Sequence, residues 1–484
     1  MKVKEKPNIL LITTDQQRGD CLGLDGHPVL QTPNLDHLGH SGAHFQRGYS
    51  ECPSCFPSRR TLMTGMAPAA QGMVGMQSAP WEPPFTLAGE MTQAGYQTQL
   101  VGKLHLGAAG RRFGFEHIVH SDGPYVAEDA YARWLQRVHQ RQEVDAGIAH
   151  GLDVNGWVGR PGHLPEEQTH TYWCVSQAIE FLRYQRDPQQ PFFLNVSIFD
   201  PHPPLAPPPA YYDRYIQRDL PAPVVGDWAG EPQTPQRGTS TDAWRIHLDE
   251  HQMQCCRAAY YGTVNFVDDQ IGRLMQFMRQ QGLLQNTVIV FTSDHGEMLG
   301  DHHLYRKCWP YEASARVPFL IWAAPALGWQ SGLQVGTPVG WQDIMPTLLD
   351  TAGAVIPPAC TGRSLLPILR GEVAAVRDVL HGEHAGQYDY QDGHHFLVDE
   401  RYKYVWYSQR GTEHLFDLRE DPDEEVDLAL GADAEQQLEP WRKRLVEVLA
   451  ERPEGFVNQG QLVAGQPHEK IIPGYEPDRF YPFL

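Results

Sequence analysis

Four short apolar runs, each closed by acids, lysines or histidines, constrain this chain more than any other feature. They are Asn8–Asp15, Tyr96–His105, Pro191–His202 and Asn286–His295. Continuous apolar runs of about five to eight residues, without polar alternation, read as parallel strands buried on both faces. Helical patterns lie between them, at Thr86–Ala94, Thr169–Arg186 and Cys255–Gln281. In an open parallel sheet, ligands bind beyond the carboxyl ends of the strands. Asp15, Lys103, His105, His202, Asp294 and His295 all fall at such ends, so the pattern predicts an active-site rim. A fifth run, Val317–Trp322, reads as another strand of the same sheet.

Two regions interrupt the alternation. Residues 121–168 are polar and rich in Gly, His and acids, and 203–250 carry repeated prolines. Long loops inside a compact chain are commonly functional, so these segments, with 72–82, are expected to wall a pocket. Their aromatics Trp81, Tyr125, Trp157 and Trp228 suit either stacking on a ring of the ligand or packing. Beyond Gly353 the pattern changes. Residues 394–417 alternate as antiparallel strands do, and Glu435–Leu449 places Leu438, Trp441, Leu445, Val448 and Leu449 on one helical face. The expected architecture is α/β: a large, mostly parallel sheet flanked by helices over 1–375, then a smaller α+β domain with an antiparallel sheet over 376–484. The Pro-, Gly- and aromatic-rich tail from Arg452 is expected to drape over a surface or a neighbouring subunit, which admits a homo-oligomer.

Composition removes several classes of function. The 484 residues, 41% hydrophobic and 20% charged, are ordinary for a globular protein and exclude a disordered chain. With 39 basic against 59 acidic side chains, the net charge is −20. That argues against nucleic acid, whose binding rests on clustered Lys and Arg, while a cleft with local cations still admits a small anion. The first apolar run is too short for a secretory leader and nothing approaches a membrane span, so no membrane association is expected. The eight irregularly spaced cysteines fit a reduced, cytoplasmic setting. Histidine, at 23, raises the question of metal or proton chemistry.

One segment carries a recognisable signature. Cys55-Phe56-Pro57-Ser58-Arg59, followed by Thr64-Gly65, resembles the Cys-x-Pro-Ser-Arg motif of type I sulfatases. Gly102-Lys103-Leu104-His105, Pro201-His202, Ser293-Asp294-His295-Gly296 and Lys307 follow in the same order, so the resemblance spans nearly the whole chain. It implies an alkaline phosphatase-like fold and hydrolysis of sulfate monoesters. It also implies oxidation of Cys55 to Cα-formylglycine by a formylglycine-generating enzyme. An aldehyde hydrate offers one hydroxyl to attack sulfur and a second to expel sulfate; a plain thiol offers no such release. The competing reading, a redox pair or half a zinc site from Cys52 and Cys55, lacks a second Cys-x-x-Cys.

By resemblance, Asp15, Gln16, Asp294 and His295, with the modified Cys55, hold one divalent cation. Calcium leads, with manganese and magnesium admitted because a glutamine stands where many relatives have an aspartate and an imidazole where they have asparagine, which lowers the negative charge at the site. Arg59, Lys103, His105, His202 and Lys307 match sulfate-binding and proton-transfer positions. His202 or Lys307 would face the leaving oxygen, and His105 and Arg59 the nucleophile. His302 and His303 read as a turn, while His381, Glu383 and His384 are within reach of the cleft from the smaller domain. The alternative, on the Asp15-Gln16 and Asp294-His295 pairs, is a phosphonate monoester hydrolase or phosphodiesterase of the same superfamily.

Overall fold

A computed structural model describes residues 6–107, 110–126, 128–139, 151–232 and 240–475. In chain order the strands are β1 (Asn8–Asp15), β2 (Ala43–Phe45), β3 (Gly48–Tyr49), β4 (Gln97–Gly102), β5 (His117–His120), β6 (Phe192–Pro201), β7 (Thr287–Ser293) and β8 (Phe319–Ala323). They continue with β9 (Leu333–Val335), β10 (Val339–Gly340), β11 (Leu380–His384), β12 (His394–Val398), β13 (Tyr402–Tyr407), β14 (Glu413–Asp417), β15 (Val457–Asn458) and β16 (Gln461–Leu462). Among the described residues, eight form one sheet in the order β5-β4-β6-β1-β7-β8-β2-β9. Strands β5, β4, β6, β1 and β7 are mutually parallel, whereas β8 runs antiparallel to both β7 and β2.

The apolar runs follow from burial on two faces. Ile9 and Leu11 of β1 point into one core with Trp341, Leu348 and Leu349, while Leu10 and Ile12 point into another with Trp173, Val267 and Leu274. Alternate residues of a strand face opposite ways, so a strand covered on both sides must be apolar throughout. The helix Glu250–Gln280 covers the second face, opened by a reciprocal capping box between Asp249 and Gln252. The pattern at Thr169–Arg186 divides into a helix, His170–Glu180, and a π-helical turn, Phe181–Gln185.

One expectation holds with a reversal of direction and another needs correction. The run Val317–Trp322 does join the sheet, as β8, but reversed. The segments read as loops contain helices: Ala130–Val138, capped by Asp129 Oδ1 on the Ala132 N–H at 2.8 Å, and Pro209–Ile216. In the first, Tyr131 and Leu135 sit four apart and are buried; a two-residue apolar stripe is too short to register as a period. The expected reach of the tail includes 476–484, which lie outside the described residues.

The second sheet, β11-β12-β13-β14, is antiparallel throughout. The helix Ala434–Leu449 lays Leu438, Trp441, Leu445 and Leu449 against it. Edge strand β11 is tied to the larger sheet's side through Glu383 N–H to Glu51 O at 2.7 Å and Ala385 N–H to Val74 O at 2.6 Å. No helix among the described residues is long and apolar enough to cross a membrane.

Much of the histidine surplus is absorbed into packing. His170 hydrogen-bonds the Ser121 hydroxyl at 2.9 Å, and burial pushes its pKa down to about 3. Burial likewise pushes His384 down to about 3, and His394 and His302 to about 4. A folded-state value below the unfolded one means that the unfolded chain binds more protons at acid pH. Stability present above pH 6.5 is therefore lost progressively as pH falls toward 3. Thermal midpoints measured from pH 7.5 to 4 should fall steadily below 6.5; a flat profile to pH 4 would contradict the burial of these rings as neutral groups.

Candidate active site

The register of β1 with β7, which pairs Thr14 with Ser293, brings Asp15 and Asp294 out side by side. The Asp294 N–H reaches the Thr14 carbonyl at 3.2 Å, and the Gln16 N–H reaches Asp294 Oδ1 at 3.2 Å. Both carboxylates are fully buried. Gln16 has a φ of 71°, a left-handed turn that carries the chain off the sheet. Gly102, at φ 97°, does the same after β4; a Cβ there would lie 2.0 Å from the Ser197 carbonyl, so only glycine delivers Lys103 to this edge.

Cys55 opens the helix Cys55–Thr64, with Ser54 as its N-cap residue and Gly65, at φ 63°, as its left-handed stop. Its Sγ lies 3.2 Å from His295 Nε2, 3.2 Å from Lys307 Nζ and 3.8 Å from Asp15 Oδ1. Arg59, one turn along, gives Nε to Asp294 at 2.9 Å and Nη1 to Ser197 Oγ at 2.9 Å, with Nη2 3.5 Å from Asp15. Lys103 Nζ makes a short contact with Asp15 Oδ2. Lys307 Nζ also donates to Gln16 Oε1 at 3.0 Å and to His202 Nε2 at 2.8 Å.

These contacts set the charge states. Burial and Asp15 push the Cys55 thiol up, but Lys307, Lys103 and His295 outweigh them and hold it well below its ordinary value. Burial opposes ionisation of Asp15 too, and Lys103, His202 and Lys307 overcome it. Asp294 moves the other way, raised by burial and by the Asp15 charge. Burial and Lys307 drive His202 well below its usual value. His202 Nδ1 donates to the Pro203 carbonyl at 2.7 Å, so Nε2 carries a lone pair and the proton between the two groups rests on Lys307.

The residue set fits a divalent cation. Ligand atoms of Asp15, Cys55, Asp294 and His295 all lie within 4.8 Å of one another. His295 Nδ1 donates to the Gly296 carbonyl at 2.9 Å, so Nε2, 3.2 Å from Cys55 Sγ, points inward and is the nitrogen a ligating imidazole would offer. Two buried carboxylates in contact repel, and a cation between them removes that cost.

The sequence-derived residues converge with one qualification, His105. His105 stacks on the Phe56 ring at 4.1 Å and its backbone N–H is held by Asp122 Oδ1 at 3.0 Å. Among the described residues, its Nδ1 is buried without a hydrogen-bond partner. Arg60 turns away to the Trp81 ring, 5.0 Å off, and is not part of the site. The aromatic candidates separate as well: Trp228 stacks on Tyr311 at 4.4 Å and Trp81 packs on Phe113, both as anchors. Tyr125, 38% exposed, leans edge-on against Phe199, which lies under Lys103 Nζ at 5.1 Å. His302 and His303 form the expected turn.

Ser197, Glu297 and Asp122 were not legible beforehand. Glu297 makes a short contact with Gln16 Nε2, which fixes the amide so that its oxygen faces Lys307, and accepts the Leu299 N–H at 2.9 Å. A Glu three residues past Asp294 carries no signal of that duty. His384 reaches Ser54 Oγ at 2.9 Å from the second sheet.

Residues 7–354 match the family model described as sulfatase, and 300–451 match that described as N-sulphoglucosamine sulphohydrolase, C-terminal. An arylsulfatase of Clostridium perfringens is 39% identical over 478 residues, covering 96% of this chain and 98% of that protein. A choline-sulfatase of Rhizobium meliloti is 30% identical over 436 residues, covering 88% and 82%. The solved structure of a phosphonate monoester hydrolase of Agrobacterium radiobacter aligns at a TM-score of 0.75 and 26% identity, covering 96% of this chain and all of that one.

Asp294→Ala removes one of the two carboxylates in the cluster and takes away the partner of Arg59 Nε. Elemental analysis of the purified variant should show loss of the bound divalent ion, with activity down by orders of magnitude. Full metal occupancy in the variant would contradict the ligand set.

Proposed function

The chain belongs to the sulfatase family and is a sulfuric ester hydrolase, and from that premise we propose the roles of its individual residues. The family implies a divalent metal and a formylglycine. We assign the metal to Asp15, Gln16, Asp294, His295 and the modified Cys55, with calcium preferred and manganese or magnesium as the other candidates. Once in place, the modified residue and the cation supply an activated oxygen nucleophile and polarise the sulfuryl oxygens.

The remaining roles belong to side chains of the chain itself. Lys103 and Lys307 neutralise the sulfate group as it binds, their ammonium groups standing against Asp15 and Cys55 respectively. Lys307 faces the leaving oxygen and provides its proton from Nζ; His202, neutral and anchored on Pro203, keeps that ammonium aimed. Arg59 is a positioning residue, its fork divided between Asp294 and Ser197. His105, packed on Phe56 beside Cys55, would hold the nucleophile's oxygen through its imidazole, as the family resemblance implies. The Lys307–His202 contact carries this reading: a His202 Nε2 that accepts from Nζ supports Lys307 as the group that holds the proton.

The organic part of the ester is proposed as aryl, on the similarity to the C. perfringens arylsulfatase and on Tyr125 at the rim. Sugar and small alkyl sulfates are the other candidates. The phosphonate-ester alternative draws on the Asp15-Gln16 and Asp294-His295 pairs and on the likeness to phosphonate monoester hydrolases. We also read residues 1–375 as the catalytic domain and 376–484 as the smaller one, since the proposed ligands all precede 375. A cytoplasmic setting accords with eight free cysteines.

An aryl sulfate and an aryl phosphonate monoester assayed in parallel should give kcat/KM higher for the sulfate. Lys307→Ala should lower kcat by about 10²–10⁴-fold on esters with poor leaving groups and far less on 4-nitrophenyl sulfate, whose phenolate needs no proton. Equal losses on both would contradict Lys307 as the proton donor, and preference for the phosphonate would overturn the aryl sulfate assignment.

A further inference from the structure

A second cluster of ligating side chains lies behind strand β11, on the face away from the nucleophile. Glu383 and His395 are directly opposite in the β11–β12 ladder, and His381, two residues before Glu383, shares their face. His381 Nε2 is 3.2 Å from His395 Nδ1, which is 3.7 Å from Glu383 Oε2, and one ligand atom of each lies within 4.8 Å of the others. His468, from the C-terminal segment, stacks parallel to His395 at 5.0 Å and brings Nε2 to 3.9 Å from the same carboxylate oxygen.

We propose that His381, Glu383, His395 and His468 form a zinc site that staples the C-terminal segment to the four-stranded sheet. Three imidazoles and one carboxylate make a four-ligand set of the nitrogen-rich, borderline kind that suits zinc. Supporting contacts are in place. Ser408 Oγ holds His468 Nδ1 at 2.9 Å, so its other nitrogen is aimed at the cluster. Arg452 Nη1 grips both Glu383 oxygens, at 2.9 and 2.7 Å, and leaves the remaining lone pairs free. Glu454 pairs with Arg452 at 2.6 Å, so two carboxylates face one guanidinium and the pocket favours a further cation.

Among the described residues, His468 Nε2 is buried with no hydrogen-bond partner. An N–H···N bond between His381 Nε2 and His395 Nδ1 would satisfy those two nitrogens and leave His468 Nε2 unsatisfied, 3.9 Å from Glu383 Oε2, which is costly for a buried polar atom. A cavity of about 440 Å³, lined by His381, Glu383 and Arg452 among others, gives an ion a route in from solvent. The ion would also brace β11, whose opposite face carries His384 on Ser54, beside Cys55.

The full-length enzyme is saturated with calcium, incubated with zinc chloride and desalted. Elemental analysis should find one zinc per chain in the wild type and in Asp294→Ala, and none in His381→Ala. Zinc should raise the thermal midpoint of the wild type by roughly 2–5 °C and leave that of His381→Ala unmoved. Wild-type crystals soaked in zinc chloride should give an anomalous peak at the zinc edge about 2.0–2.1 Å from His381 Nε2 and His395 Nδ1. The crystal measurement needs no variant to fold. No peak between these residues, zinc lost on desalting, or equal zinc in the wild type and His381→Ala would each overturn the site.

Discussion

Asp15 and Asp294 stand side by side, fully buried, at the ends of two neighbouring parallel strands. Two carboxylates in that position are tolerable only if cations surround them. Lys103 and Arg59 contact Asp15, Arg59 also contacts Asp294, and Lys307 lies against Cys55 and Gln16. Each of these cations comes from a different segment, so the charge balance requires β1, β4, β7, the Cys55 helix and the 301–308 turn to be placed together. On the proposed reading the same balance is the chemistry: a ring of positive charge around a buried anionic centre receives a sulfate ester and holds the charge that develops as it breaks.

The second sheet completes this arrangement from outside. Glu383 and Ala385 bind the backbone at Glu51 and Val74, and His384 holds Ser54, the residue before Cys55. Tyr388 donates its hydroxyl to the Lys307 carbonyl at 3.0 Å. The helix of Cys55 and the turn of Lys307 are therefore both braced by residues beyond 375, although the proposed ligands all come earlier.

Legibility in the sequence followed the physics of each feature. Strand ends were readable because burial on two faces forces an unbroken apolar run, and its last residue marks the ligand-facing edge. Asp15, Lys103, His202 and Asp294 all emerged that way. The reversal of β8 was not readable, since an apolar pentapeptide carries no direction. Arg59 and Arg60 are adjacent and chemically alike, yet one enters the site and the other stacks on Trp81; helical phase relative to a distant sheet decides this. Ser197, Glu297 and Asp122 serve by contacts across 17 to 281 positions, distances over which local pattern is silent. The histidine excess pointed to metal chemistry in general, but several of the rings are neutral packing groups.

The account rests on Cys55 as the precursor of the nucleophile. Preparations differing in the extent of Cys55 oxidation, made by varying co-expression of a formylglycine-generating enzyme, test it most directly. Mass spectrometry of the Cys55 peptide gives the modified fraction, and turnover of an aryl sulfate is measured on the same samples. Activity should rise in proportion to that fraction and extrapolate to zero at none. Full activity in a sample carrying only unmodified Cys55 would contradict the account.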